Sequence, residues 1–148
     1  MAERAEAPKG PAAPPQGDPA PAAGRRKILA VDDSETVLLV ERSLLSRSYL
    51  VVTAKNGEEG VAKAIAERPD LILMDVMMPR MNGFDAVRRL RSEPATRNIP
   101  VIMVTTRSEA QNVQTGYESG CTDYVTKPFD GPGLLAKVKS RLPPPRDA

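Results

Sequence analysis

The chain has 148 residues, a formal net charge of +2 and only 3% aromatic residues. This charge is too small to indicate a nucleic-acid surface, and the scarcity of aromatic rings argues against base-stacking platforms. Histidine is absent and cysteine occurs once, which excludes a histidine-based catalytic triad, an internal disulfide and a zinc site of histidines or several cysteines. No apolar stretch is long enough to span a membrane, and a single cysteine is typical of a reducing, cytoplasmic compartment.

The two ends of the chain are rich in proline. Residues 1–26 consist mostly of alanine, proline and glycine, a composition that disfavours helix and offers little to bury, so we expect a disordered tail. Residues 143–148 begin with three consecutive prolines, which should end the last helix and leave a short C-terminal tail. The predicted folded unit is therefore 27–142.

Strand and helix patterns alternate along this unit. Short apolar runs bounded by polar residues are typical of parallel strands that are buried on both faces. They occur at 28–31, 50–54, 71–74, 101–104 and 124–126. A helical pattern follows each run, and five strands alternating with five helices predict a doubly wound α/β sheet with helices on both faces.

Apolar residues at helical spacing predict which side of each helix faces the core. Ser34 is the expected N-cap of the first helix, Asn56-Gly57 is expected to form a turn before the second, and a more polar helix is expected around 108–118. Cys121 is expected to be a small packing residue. The predicted apolar positions are Val37, Val40 and Leu44; Val61 and Ile65; Phe84, Val87 and Leu90; and Leu134, Leu135, Val138 and Leu142.

Polar residues capable of handling phosphate and a metal follow four of the five strands. In an open parallel sheet, ligands bind just past the carboxyl ends of the strands. The sequence therefore predicts one edge that carries three carboxylates, threonine hydroxyl groups and an ammonium. The residues are Asp32 and Asp33, Asp75, Thr105 and Thr106, and Lys127.

Four motifs at these strand ends together resemble the response regulator receiver domain (CheY-like), the phosphoacceptor module of two-component signalling. They are Val31-Asp32-Asp33-Ser34, Asp75-Val76-Met77-Met78-Pro79-Arg80-Met81-Asn82-Gly83, Val104-Thr105-Thr106 and Lys127-Pro128-Phe129. Asp75 and Thr105 are 30 residues apart, and Thr105 and Lys127 are 22 apart, as in that family. The resemblance covers 27–142. It implies a flavodoxin-like sheet with strand order 2-1-3-4-5 and a phosphoacceptor rather than a conventional enzyme.

The acidic residues are the candidate metal ligands. Crowded carboxylates repel one another unless a cation lies between them, and oxygen ligands suit Mg²⁺. We therefore assign Asp32, Asp33 and Asp75 to a Mg²⁺ site. The resemblance implies that Asp33 and Asp75 coordinate directly, that Asp32 acts largely through water, and that the backbone carbonyl of Met77 is a further ligand.

Asp75 is the expected nucleophile, because a carboxylate can attack phosphorus to form an acyl phosphate. Lys127 and Thr105 are expected to contact phosphoryl oxygens, the first as a point charge and the second as a hydroxyl donor. The family implies a cis peptide bond between Lys127 and Pro128. The structural alternatives are that Asp33 only caps a helix and that Lys127 only pairs with an aspartate.

The resemblance also implies a switch that involves Thr105 and Tyr124. In the family, an aromatic residue at the position of Tyr124 swings inward when the threonine moves toward the phosphate. The matched output face comprises the predicted fourth helix, the fifth strand and the fifth helix. Here it would include Val113, Tyr117, Tyr124 and Lys137.

Two positions that tune phosphoryl lifetime in the family are occupied here by Met77 and Arg107. We hypothesise that their bulk hinders the attacking water and slows self-hydrolysis. The alternative is that both are ordinary solvent-facing loop residues.

These observations favour a single-domain response regulator that is phosphorylated by a partner histidine kinase and signals to a downstream protein. A phosphorelay intermediate that passes the phosphoryl group to a histidine phosphotransfer protein stays open, as does a receiver fragment of a longer regulator. A phosphatase with an aspartate nucleophile is disfavoured because Ser34 occupies the second acid position of its motif. A non-phosphorylatable scaffold is disfavoured because no key residue is missing.

Overall fold

The computed structural model describes residues 25–78, 81–106 and 120–142. Five parallel strands form one sheet in the order β2-β1-β3-β4-β5, which confirms the predicted architecture. The strands are β1 (Lys27–Val31), β2 (Leu50–Ala54), β3 (Leu71–Asp75), β4 (Val101–Thr106) and β5 (Asp123–Lys127). The described part also contains the helices α1 (Glu35–Leu45), α2 (Gly57–Glu67), α3 (Gly83–Ser92) and α4 (Gly131–Arg141).

Several predictions concern residues outside this described part. They are the helix expected around 108–118, the C-terminal tail 143–148 and nearly all of the N-terminal tail 1–26. Within the described part, every helix is too short or too polar to cross a bilayer.

The helices cover both faces of the sheet, and each face has its own apolar core. On one face α1 and α4 pack over Ile28, Leu73 and Val104. On the other, α2 and α3 pack over residues such as Leu29 and Ile72. Because successive side chains of a strand point to opposite faces, a sheet covered on both sides needs continuous apolar runs. This is why the strands were recognisable in the sequence.

Side-chain caps begin three of the helices. The Ser34 hydroxyl accepts a hydrogen bond from the backbone N–H of Val37 at 3.3 Å, which confirms the predicted N-cap of α1. Asn56 and Asn82 cap α2 and α3 in the same way, with N···O distances of 2.8 and 2.9 Å. The Asn56-Gly57 pair, predicted as a turn, therefore begins α2 itself, because the amide side chain satisfies an otherwise unpaired N–H.

The buried side of α1 differs from the predicted one. The structure buries Leu38, Glu41 and Leu45, whereas Val40 of the predicted set is 43% exposed. Residues 37–40 are all apolar, so they occupy every side of the helix and their spacing cannot select one. The consequence is that a carboxyl group, that of Glu41, faces the sheet.

The other helices agree more closely with prediction. Phe84, Val87 and Leu90 are buried as expected, and so is Cys121. The prediction that Ile65 on α2 faces the core is wrong, since this residue is 38% exposed. It lies at the solvent edge of the helix face that contains the buried Val61. On α4 the fully buried residues are Leu134 and Val138, and Leu135 and Leu142 are partly buried.

Gly83, the first residue of α3, lies directly against the end of β3. Its N–H donates a hydrogen bond to the carbonyl of Val76 at 2.8 Å. A Cβ atom at this position would overlap the backbone oxygen of Asp75 and would lie 2.8 Å from the Cε of Met103. The close approach of α3 to the phosphoacceptor candidate thus requires a residue without a side chain.

We predict that Gly83→Ala lowers the free energy of unfolding by about 1–3 kcal/mol, as overpacking of a buried site does. Urea denaturation measures this. Gly133→Ala is the matched control, because its Cβ would meet only the side chain of Asp130, which is exposed and can move. Equal destabilisation of the two variants would contradict the prediction.

Candidate functional site

The ends of β1 and β3 bring Asp32 and Asp75 side by side. The register pairs Val31 with Met74, so the next residue of each strand is again a neighbour. Strand alternation places both carboxylates on the face covered by α1 and α4. Asp32 and Asp75 are 1% and 4% exposed, whereas Asp33 is exposed. Each of the three aspartates offers one carboxylate oxygen within 4.8 Å of the other two, and we call these residues the acidic cluster.

Lys127, at the end of β5, joins two members of this cluster. Its Nζ lies 3.1 Å from Oδ2 of Asp32 and 3.2 Å from Oδ1 of Asp75. The other oxygen of Asp32 accepts a hydrogen bond from the backbone N–H of Ser34 at 2.9 Å. Both oxygens of Asp32 therefore have partners, so its side chain is held in one orientation.

Burial and charge set the protonation of the site. Burial raises the pKa of Asp75 to about 7; the charge of Asp32 adds to this increase, and Lys127 opposes it. Burial alone would lower the pKa of Lys127, but the carboxylates of Asp32 and Asp75 hold it above its usual value. Near neutral pH the lysine is thus a cation, whereas the carboxyl group of Asp75 gains and loses its proton in this pH range.

Thr105 and Tyr124 lie on neighbouring strands at the other face of the sheet. Thr105 is 2% exposed, and alternation along β4 places it on the same side as Met103. Met103 in turn pairs with Tyr124 on β5. Tyr124 is partly buried against the core under α2 and α3. The structure therefore brings the two predicted switch residues to adjacent strands on one face.

The remaining predicted residues fall at the rim of the site or outside the described residues. Met77 follows Asp75 by two residues, and its side chain is 60% exposed. The Lys127–Pro128 peptide bond is cis, as the resemblance implies. Lys137 lies on α4, where its Nζ pairs with Asp123 at 3.4 Å. Arg107, Val113 and Tyr117 lie outside the described residues.

Glu41 is a buried acid near the cluster that the apolar pattern of α1 did not reveal. Its side chain is 1% exposed, and its Oε1 has no hydrogen-bond partner among the residues that the structure describes. Burial raises its pKa to about 8; the charges of Asp32 and Asp75 contribute, and Lys127 opposes them. The signal that could have found it is a glutamate three residues after one leucine and four before another, Leu38 and Leu45.

The donor chemistry of the cluster fits a hard divalent cation. Three carboxylates face one ammonium, so negative charge is in excess, and all available side-chain donors of the cluster are oxygens. Oxygen ligands with excess negative charge suit Mg²⁺ better than softer metals, which prefer nitrogen or sulfur.

Comparison with known proteins agrees with this geometry. The family model described as "Response regulator receiver domain" matches residues 28–139. The chain is 44% identical over 115 residues to the response regulator PleD of Caulobacter vibrioides, covering 77% of this chain and 25% of PleD. It is 42% identical over 117 residues to the protein PilH of Pseudomonas aeruginosa, covering 78% of this chain and 97% of PilH. It thus spans only a quarter of one relative and nearly all of the other.

Solved structures show the same likeness. The chemotaxis protein CheY4 of Vibrio cholerae superposes with a TM-score of 0.76 at 36% identity, covering 80% of this chain and 99% of that one. The receiver domain of a sensor histidine kinase from Pseudomonas aeruginosa, solved with a magnesium ion in its active-site cleft, gives a TM-score of 0.73 at 29% identity, covering 78% and 96%. The chain therefore belongs to the response regulator receiver domain family, whose members are phosphoacceptors of two-component signalling rather than conventional enzymes.

Proposed function

We propose that this chain is a single-domain response regulator that accepts a phosphoryl group on Asp75 from a partner histidine kinase. The observation that carries the proposal is the position of Asp75, a buried carboxylate at the end of the central strand β3 with the Lys127 ammonium 3.2 Å away. These 148 residues contain no histidine, so a phosphohistidine donor has to lie outside them.

The proposed reaction is an in-line transfer. A carboxylate oxygen of Asp75 forms a bond to phosphorus while the phosphorus–nitrogen bond of the donor phosphohistidine breaks, and the nitrogen keeps the bonding electron pair. Lys127 would move its ammonium from the aspartates to a phosphoryl oxygen, and the Thr105 hydroxyl would donate to another. The buried surroundings of Asp75 strengthen both interactions because water screens them poorly there.

The acidic cluster is the proposed Mg²⁺ site. Asp33 and Asp75 would bind the ion directly, with the Met77 carbonyl as a further ligand and Asp32 acting through water. When bound, the ion neutralises negative charge on the cluster and on the transferring group. The magnesium ion in the cleft of the sensor-kinase receiver supports this proposal, as do the three carboxylate oxygens within 4.8 Å of one another.

The proposed output face comprises β5, α4 and the helix predicted around 108–118. Ion pairs already tie two of these elements together, because Asp123 of β5 binds Arg141 at 2.8 Å and Lys137 at 3.4 Å. Tyr124 follows Asp123 directly and would change its packing when Thr105 approaches the phosphoryl group, a shift between two populations. A downstream protein that binds one packing better would then receive the signal.

The proposed domain organisation places this receiver unit at 27–142. The family match at 28–139 lies within it. The match to nearly the full length of PilH supports a regulator that works as one domain.

Phosphorylation by a small-molecule donor tests the assignment of Asp75. Incubation with acetyl phosphate and Mg²⁺ should add one phosphoryl group to the chain, detected as an intact-mass gain. Asp75→Asn should abolish the gain because it removes the nucleophile, and chelation of Mg²⁺ should suppress it in the wild type. Asp85→Asn is the matched control, since Asp85 is an exposed acid paired with Arg88 on α3, and it should be phosphorylated normally. A wild-type chain that gains no mass, or an Asp75→Asn chain that still does, would refute the proposal.

A further prediction concerns the lifetime of the phosphoryl group. Met77→Ala should increase the rate of phosphoryl loss several-fold, because the exposed side chain two residues after Asp75 would no longer obstruct the attacking water. Arg107→Ala should act in the same direction. The measurement follows the phosphorylated mass with time after the donor is removed. Ile65→Ala, another exposed apolar truncation on α2, should leave the rate unchanged, and a Met77→Ala rate equal to that of the wild type would show that Met77 is an ordinary loop residue.

A further inference from the structure

Glu41 places a carboxyl group in an otherwise apolar part of the core. It lies one helical turn before Leu45 on the side of α1 that packs against the sheet, and it is 1% exposed. Among the described residues it makes no hydrogen bond or ion pair, and its Oε1 is fully buried without a partner. A buried polar group of this kind costs stability, whereas an apolar side chain of similar size would fill the same space without that cost.

The charged groups around Glu41 belong to the site. The face of the sheet under α1 ends in Asp32 on β1 and Asp75 on β3, and Lys127 from β5 lies between them. The five residues of β2 include no ionisable side chain, and α4 presents the apolar Leu134 and Val138 to this core. The cationic Lys137 and Arg141 of α4 are paired with Asp123 instead. The electrostatic surroundings of Glu41 are therefore dominated by Asp32, Asp75 and Lys127.

We propose that Glu41 couples the binding of Mg²⁺ at the acidic cluster to the release of a proton from its own buried carboxyl. The inference rests on the proposed Mg²⁺ site and adds to it a residue that binds neither the ion nor the phosphoryl group. In this deprotonation the O–H bond of the Glu41 carboxyl breaks, the proton goes to the buffer, and the carboxylate keeps the electron pair.

The coupling follows from the causes that hold the proton on Glu41. Burial contributes most to its raised pKa, and the negative charges of Asp32 and Asp75 contribute further. A dication at the cluster would offset those two charges, so the carboxylate form of Glu41 would become less unfavourable. By linkage the effect is reciprocal, and an ionised Glu41 makes the site bind Mg²⁺ more tightly.

Calorimetric titration of the full chain with Mg²⁺ tests the proposal. At pH 7.5, titrations in buffers of different ionisation enthalpy give the number of protons released per ion bound. The wild type should release a clear fraction of a proton more than Glu41→Gln. The ratio of the Mg²⁺ dissociation constants, variant over wild type, should rise from near one at pH 6 to about fivefold at pH 9, a coupling of the usual size between two sites. Both proteins contain Asp75, so the comparison subtracts its own proton release except for the part that depends on the charge of Glu41.

Glu67→Gln is the matched control, because Glu67 is an exposed acid on α2 paired with Lys27 and should release protons as the wild type does. Equal proton release by the wild type and Glu41→Gln would overturn the inference while leaving the metal site in place. A wild type that does not bind Mg²⁺ would instead refute the proposed metal site itself. Circular dichroism checks that each variant is folded. If Glu41→Gln is not folded, Glu41→Met, an apolar replacement of similar shape, provides the same comparison.

A metal-free measurement separates the proton on Glu41 from any property of the ion. A carboxyl whose folded-state pKa lies above its unfolded value stabilises the fold less as the pH rises between the two values. From pH 4.5 to 8, the free energy of unfolding of the wild type should therefore fall more steeply than that of Glu41→Gln. Parallel profiles would mean that Glu41 is already ionised in the folded chain, and the inference would fail.

Discussion

The excess of carboxylates over cations at the end of the central strands is the constraint on which the rest of the site depends. Asp32 and Asp75 are both nearly inaccessible to water, and a pair of like charges about 4 Å apart costs roughly 4 kcal/mol at the effective dielectric of a protein surface. Domains of this size are stable by only about 5–15 kcal/mol, so such repulsion is a large fraction of the total. Lys127 offsets part of it by contacting both carboxylates. The residual negative charge would favour a cation at the cluster.

The sheet makes this unfavourable arrangement possible. In the strand order β2-β1-β3-β4-β5, β2 is added on one side of β1 and the later strands on the other, and doubly wound folds bind ligands at this switch point in the strand order. The strands that carry the acids are flanked on both sides by other strands and covered on both faces by apolar cores. The backbones that carry the aspartates consequently cannot move apart without disrupting the hydrogen bonds of the sheet. The core thus stabilises a geometry that the charges alone would disfavour.

Local patterns predicted what depends on neighbouring residues in the sequence. The strands, the polar residues at their ends and the Ser34 cap all follow from short-range signals, and the structure contains them. The prediction of which side of α1 is buried was wrong because residues 37–40 place apolar side chains on every side of the helix. Only the packing of α1 on β1 and β2 decides which side faces the core. Glu41 was missed for the same reason. The three aspartates were assigned to a metal site from their chemistry, whereas their separate coordination roles, the role of Met77 and the switch of Tyr124 came from the family resemblance. All of these stay predictions because they concern ions, partners and a second state of the chain.

The burial of Glu41 links the helical layer to the chemistry of the strand ends. If the α1 face of the core served only to support the sheet, an apolar residue at position 41 would serve it better, because a buried carboxyl without a partner loses its hydration and gains no hydrogen bond in return. The energetic cost is raised further by Asp32 and Asp75 and is reduced by Lys127. A cation or a phosphoryl group at the site would offset or add to the charges of these same groups, so under our proposal the cost of burying Glu41 would change with the state of the site. A core residue whose stability contribution depends on the occupancy of the site connects folding energy to function without touching the reacting atoms.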